Sequence, residues 1–260
     1  MVTAEQVLVD LRAEGDELDA IVAGLGPEGW STPTPAPGWT IAHQIAHLAW
    51  TDDAALLALT DPDAFADLQR AAATDLTAVI EAGARQGAEG TPAELLDRWR
   101  DGRERLRARL GEAAGRVPWI GTTMSPASMA SARIMETWAH GTDVADALGV
   151  ERAPTARLRH VAHLGVATRD FAYAVHRLPA PPEPFRVELT APDGTTWAWG
   201  PDGRPADVAG PALDFCLLVT RRRNRADLRL TAGERAEEWL QIAQAFAGPP
   251  GPGRSPGAPR

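Results

Sequence analysis

The chain has 260 residues, with 35 acidic against 26 basic side chains and a formal net charge of −9. That length can bury a core without disulfides or a structural metal, and the single cysteine, Cys216, excludes an intramolecular disulfide. The acidic balance argues against nucleic acid and anionic lipid as partners, and charged residues interrupt every apolar run before the roughly 20 residues a membrane helix needs.

The opening stretch, MVTAEQVLVDLRAEGDELDA, is acidic and amphipathic with no basic segment leading into an apolar block, so a cytoplasmic protein without a signal peptide is expected. TAEQ at Thr3 to Gln6 is a capping-box pattern, and Val7, Leu11, Leu18, Ile21, Val22 and Leu25 follow at helical spacing until Gly26-Pro27. After a Pro-rich loop, Thr40 caps a second helix that carries HQIAH and puts Ile41, Ile45 and Leu48 on one face, bordered by Gln44 and His47. A third helix is expected over 64–84. A fourth starts at TPAE, where Thr91 caps, Pro92 takes the first turn and Glu94 closes the box, with Leu95, Leu96, Trp99, Leu106 and Leu110 as its buried stripe. VPWIGTTMSPASM reads as a loop ending in the Ser125-Pro126 start of a helix that runs to Leu148 and stops at Gly149. Long helices joined by loops predict a bundle over 1–150.

Beyond ERAPT the pattern changes. One helix is expected over 156–178, then a hairpin FRVELTA-PDG-TTWAWG with Phe185, Val187 and Leu189 on one side. A helix over 211–223, a strand DLRLTA and a last helix GERAEEWLQIAQAF complete a small α+β domain over 151–248 that includes its leading helix. The remainder, 249–260, is too rich in Pro and Gly to pack and is expected to be disordered.

HQIAH has the spacing of the zinc-protease signature H-E-x-x-H, but Gln44 stands where that motif has its proton-accepting glutamate. The missing carboxylate has a substitute in METWAHGTD, where Glu136 and His140 project one turn apart from the same helix face. An exposed helix pair is the plain alternative, yet Met135, Trp138 and Ala139 surround these two, and a carboxylate on such a segment needs a partner that a cation would provide. His47, Glu136 and His140 would make a His₂Glu set with one position open, the arrangement of catalytic rather than structural zinc. His43 lies one turn from His47 and reads as a satisfied or lining histidine. Asp143 either orients a ligand from behind or is an exposed helical aspartate, and Asp52 and Asp53 are open in the same way. Cys216, inside LDFCLLV, reads as a small packed hydrophobe; His160, His163 and His176 have no matching acid and read as structural. RRRNR at 221–225 is either a solvated helix end or an anion site.

TPAPGWTIAHQIAHLAW, METWAHGTDVADALGV and FCLLVTRRR together resemble the DinB-like superfamily of metal-binding four-helix bundles, in the branch of mycothiol-dependent maleylpyruvate isomerase. Within that branch the chain is similar to an actinobacterial group known only as metal-binding proteins, and the resemblance runs from Val2 to Gly251. It implies an α+β protein with a DinB-like bundle followed by a sterol-carrier-like domain. It also implies metal ligands at the histidine of A-H-L and at the Glu and His of E-x-x-x-H, which are His47, Glu136 and His140 here. In the second domain it places Arg222, flanked by Arg221 and Arg223, at a position that meets the anionic part of a substrate.

The expected activity is that of a metal-dependent thiol S-transferase or isomerase. Zn²⁺, or another divalent metal, would hold mycothiol as its thiolate for attack on a small electrophile, with no catalytic side chain beyond the activated thiol or water. Two alternatives stand beside it: a hydrolase or lyase using metal-activated water without a thiol, and a noncatalytic metal- or ligand-binding module.

Overall fold

The computed structural model describes residues 3–249, 251 and 253–258. It divides into two compact units, Met1–Arg152 and Ala153–Arg260.

In the first unit, α1 (Ala4–Val22) begins where the Thr3 hydroxyl accepts the Gln6 N–H at 3.2 Å. It ends one turn short of the Gly-Pro stop, and Pro27 opens a separate single turn, α2 (Pro27–Trp30). Helix α3 (Ile41–Thr60) carries HQIAH, and α4 (Pro62–Gly87) breaks at Asp75, whose carboxylate recaps the chain by accepting the Ala78 N–H at 2.9 Å. Helix α5 (Pro92–Glu112) has the full capping box: Thr91 accepts from the Glu94 N–H, and the Glu94 carboxylate accepts the Thr91 N–H at 2.9 Å. The stretch read as a loop contains a small antiparallel hairpin, β1 (Val117–Trp119) and β2 (Thr122–Met124), turned at Gly121 with φ 73°. Its strands are three residues each, too short for alternation to register. Helix α6 (Pro126–Leu148) starts on the Ser125 cap and closes on Gly149 in the left-handed region.

Helices α1, α6, α3 and α5 close a four-helix ring, each packed on the next, and α4 lies along the outside of α3. One apolar cluster joins Leu18, Trp30, Ile41, Ile45, Leu48, Leu95, Trp99 and Val144; a second joins Val7, Leu56, Phe65, Leu106, Leu110, Met129 and Ile134. Each fully buried side chain of this kind contributes about 1.5–3 kcal/mol. Gly83 and Gly87 let α4 approach closely: a Cβ on Gly83 would sit 2.6 Å from the Trp50 ring, and one on Gly87 would sit 2.8 Å from Ala46 Cβ. This contact seats Trp50 beside His47 of α3.

In the second unit the expected leading helix is two: α7 (Leu158–Ala167) and α8 (Arg169–Val175). The Thr168 hydroxyl, which donates to the Gln244 carbonyl at 2.6 Å, marks the break. Strands β3 (Val187–Thr190) and β4 (Thr196–Trp199) form the hairpin around Pro192-Asp193-Gly194. An unexpected strand, β5 (Val208–Pro211), runs parallel to β3 and leads into α9 (Ala212–Val219). Only Thr231–Ala232 of DLRLTA pairs, as β6, before α10 (Glu234–Ile242), because Asn224 caps a 3₁₀ turn over Arg225–Asp227. The sheet order is β4-β3-β5-β6. Val187, Leu189, Trp197 and Val208 are buried on the sheet, and Phe185 stacks on Trp239 of α10 at 5.4 Å.

Where the tail is described, it makes hydrogen bonds. Asn224 donates to the Arg254 carbonyl at 2.9 Å, and the Gly257 N–H reaches the Asp227 carboxylate at 3.0 Å. Backbone groups make these contacts, so side-chain composition does not announce them. Residues 250, 252, 259 and 260 of that tail lie outside the described residues.

Candidate metal centre

The facing helices α3 and α6 bring together the three residues singled out by spacing. His47 Nε2 lies 3.6 Å and His140 Nε2 3.3 Å from the same oxygen, Oε2 of Glu136. The two imidazole rings are 4.4 Å apart, and one donor atom from each of the three residues falls within 4.8 Å of the others. His47 is buried, while Glu136 and His140 are half-buried, so the cluster has an open side. Burial alone would raise the Glu136 carboxyl. The neighbouring His140 and His47 outweigh it and hold the group well below the usual carboxylate range.

The donor set fits a small divalent cation. Donors about 2.0–2.2 Å from zinc at tetrahedral angles stand about 3.3–3.6 Å from one another, and the two separations to Glu136 are 3.3 and 3.6 Å. A direct hydrogen bond between a charged pair would be shorter, about 2.7–2.9 Å. His47 Nδ1 is buried without a hydrogen-bond partner among the described residues.

His43 is not part of the cluster. Its Nδ1 accepts the Thr40 N–H at 3.3 Å and lies 2.8 Å from the Thr40 hydroxyl, so it serves the start of α3. Asp52 faces Arg133 instead: Arg133 Nε donates to it at 2.8 Å and Arg133 Nη2 donates to Thr51 Oγ1 at 2.6 Å, all buried. Asp53 is exposed, with burial of part of its surroundings and the Asp52 charge raising its carboxyl. Asp143 is 3% exposed, which removes the reading of it as a surface aspartate. Cys216 is fully buried, its thiol donates to the Leu158 carbonyl at 3.4 Å, and burial pushes its ionisation far above the ordinary range, so it has no thiolate to offer. Arg222 is half-buried in the second unit just past α9, where its Nη1 donates to the Thr220 carbonyl at 2.7 Å.

Two contributors lay outside the sequence-based site. Gln44, wholly buried, places its Oε1 2.5 Å from His140 Nδ1 and donates through Nε2 to Thr34 Oγ1 at 2.8 Å. The Trp39 indole stacks over His140 at 6.0 Å and 20°, lies 5.3 Å from His47, and is itself held by donating to Glu81 of α4 at 3.1 Å. The available signal was positional: Gln44 precedes His47 by three residues on one helix face, and Trp39 immediately precedes the cap of that helix.

A four-helix bundle bearing a His₂Glu cluster that could hold a metal ion, followed by a small α+β unit, defines a class of two-domain proteins. Comparison with known proteins gives the family. The model described as mycothiol maleylpyruvate isomerase N-terminal domain matches residues 11–145, and the chain belongs to that family, within the DinB-like and mycothiol-dependent isomerase superfamily. A second model, described as wyosine base formation, matches residues 181–232. An uncharacterised protein of Mycobacterium tuberculosis, from strain CDC 1551 / Oshkosh and from strain ATCC 25618 / H37Rv, is 57% identical over 250 residues, covering 95% of this chain and 97% of that one. Among solved structures, mycothiol-dependent maleylpyruvate isomerase matches with TM-score 0.58 at 17% identity, and a histidine-to-alanine mutant of it matches with TM-score 0.58 at 16% identity. Each match covers 85% of this chain and 90% of the other. At that identity the likeness is one of fold, and it agrees with the α+β reading of a helical bundle followed by a small sheet domain.

Proposed function

We propose that this protein is a metal-dependent thiol S-transferase or isomerase that uses mycothiol on a small electrophilic substrate. The observation that carries the reading is the convergence of His47, Glu136 and His140 on one point in a bundle of this family. The three would hold the metal, zinc being the ion best matched to two imidazoles and one carboxylate in a tetrahedral set. When bound, the ion would lower the pKa of a thiol in the open position so that thiolate is available near neutral pH.

The chain's own residues do the rest. Glu136 stays ionised because both histidines favour its charged form, so it offers an anionic donor throughout the physiological range. Trp39 and Trp50, which flank His47 at ring distances of 5.3 and 6.3 Å, shield it from water on two sides. Arg222 would meet the anionic part of the substrate, as the family resemblance of LLVTRRR implies. Isomerisation would proceed by thiol addition, bond rotation and elimination; conjugation would stop after addition.

The test is turnover. Zinc-loaded protein with mycothiol should consume an electrophilic unsaturated acid such as maleylpyruvate, with Arg222→Met raising KM more than it lowers kcat. Activity that persists in thiol-free protein would replace this reading with metal-activated water. Zinc-loaded protein that neither binds mycothiol nor turns over any electrophile with it would end it.

A further inference from the structure

We propose that Gln44 is a positioning residue: it locks His140 with its proton on Nδ1 and its Nε2 lone pair toward Glu136, and does so as a neutral amide. This rests on the metal-ligand reading above, and it explains why a glutamine stands in HQIAH.

The assignment follows from counting donors. In the loop before α3 the Thr34 hydroxyl gives its single proton to the Trp39 carbonyl at 2.8 Å, so toward Gln44 it can only accept. The group 2.8 Å from it is therefore the amide nitrogen of Gln44, which leaves the amide oxygen facing His140 Nδ1 at 2.5 Å. That oxygen has no proton to give, so Nδ1 must be the donor. In the neutral form that a metal ligand requires, this is the ring's one N–H, and the lone pair is then on Nε2, the atom 3.3 Å from Glu136 Oε2. The anchor is firm, because the Thr34 N–H also donates to the Trp39 carbonyl at 2.8 Å and the Ile41 N–H to the Thr32 carbonyl at 3.1 Å. Gln44 is 0% exposed, so water does not compete for the amide. His47, whose Nδ1 has no partner among the described residues, has no equivalent lock.

The amide also sets charge. Glu136 is the one anion among the three ligands, so a divalent ion there would keep one net positive charge for an anionic fourth ligand. A carboxylate at position 44 would orient His140 equally well but cancel that charge and strengthen the imidazole as a donor.

Two measurements on wild type, Gln44→Leu and Gln44→Glu test this, with far-UV circular dichroism to establish that each variant folds. Side-chain ¹⁵N NMR of the metal-free protein should find His140 protonated on Nδ1 in wild type and in Gln44→Glu, and without that preference in Gln44→Leu. A wild-type His140 protonated on Nε2 alone overturns the proposal whether or not the protein binds metal. Zinc affinity by chelator competition should fall about 10–100-fold in Gln44→Leu and be restored or exceeded in Gln44→Glu. Unchanged affinity in Gln44→Leu overturns the positioning role and leaves the metal site standing. Wild type that binds no zinc while His140 carries its proton on Nδ1 supports the lock and removes the metal reading. Should Gln44→Leu not fold, Thr34→Val takes its place, since it removes the anchor without touching His140, and the same two losses are expected at smaller size.

Discussion

His43 and His47 stand one turn apart on α3, and that turn separates a helix cap from a ligand candidate. Replacing His47 with Ala should abolish stoichiometric metal binding. His43→Ala should retain it and cost about 1 kcal/mol of stability through the lost cap. Metal content by elemental analysis and a denaturant melt read both, and a His43 variant that loses metal as fully as the His47 variant would contradict the assignment. Asp52 and Arg133 form a buried pair that spacing left unassigned, because the partners come from α3 and α6. Asp52→Ala strands the guanidinium in the core and should cost about 3–5 kcal/mol in a urea melt, with the far-UV spectrum of the remaining folded protein unchanged. The convergence of the candidate ligands was legible because helical spacing puts Glu136 and His140 on one face and an apolar setting makes their chemistry conspicuous. Gln44 was not. Its donor and acceptor partners, His140 and Thr34, are 96 and 10 residues away, and periodicity carries no information about either contact.

Among the elements, the long helices could be read because each has a chemical start signal: Thr3, Thr40, Asp61, Thr91 and Ser125 all stand at N-caps. The short strands could not be read. Strand β5 contains Gly210 and ends on Pro211, residues that count against a strand, and it exists because β3 pairs along it. The α7–α8 break is likewise tertiary, fixed by a threonine reaching a distant carbonyl. Helices α1 and α5 are joined by a clamp in which Arg100 and Arg103 both donate to Asp19, at 2.6–3.0 Å. The hydrogen bond from Arg100 leads in holding the Asp19 carboxyl below its ordinary 3.8, against the opposing effect of burial. A depressed folded value means the clamp's contribution is complete above about pH 4 and is lost as pH falls through the folded value. Stability curves of wild type and Asp19→Asn, measured between pH 7 and pH 2.5, should therefore converge toward the acid end. Parallel curves across that range would show that the clamp adds nothing.

For the molecule as a whole, the two units differ in how they declare themselves. The bundle is written in caps and apolar stripes, while the α+β unit depends on pairings between strands of two to four residues. Among the described residues no helix is long and apolar enough to cross a membrane. The bundle core is built from two apolar clusters that do not include the His₂Glu residues, so metal should be dispensable for folding. Chelation should remove the ion and leave the far-UV spectrum unchanged; unfolding on chelation would mark the site as structural. The central claim is that His47, Glu136 and His140 hold a metal that in turn recruits a thiol. Its most direct test is the metal content of wild type beside Glu136→Gln, with the thermal shift of each on adding mycothiol. The account predicts about one zinc per chain and a mycothiol-dependent rise in melting temperature for wild type, and neither for Glu136→Gln; equal metal content in the two proteins would contradict it.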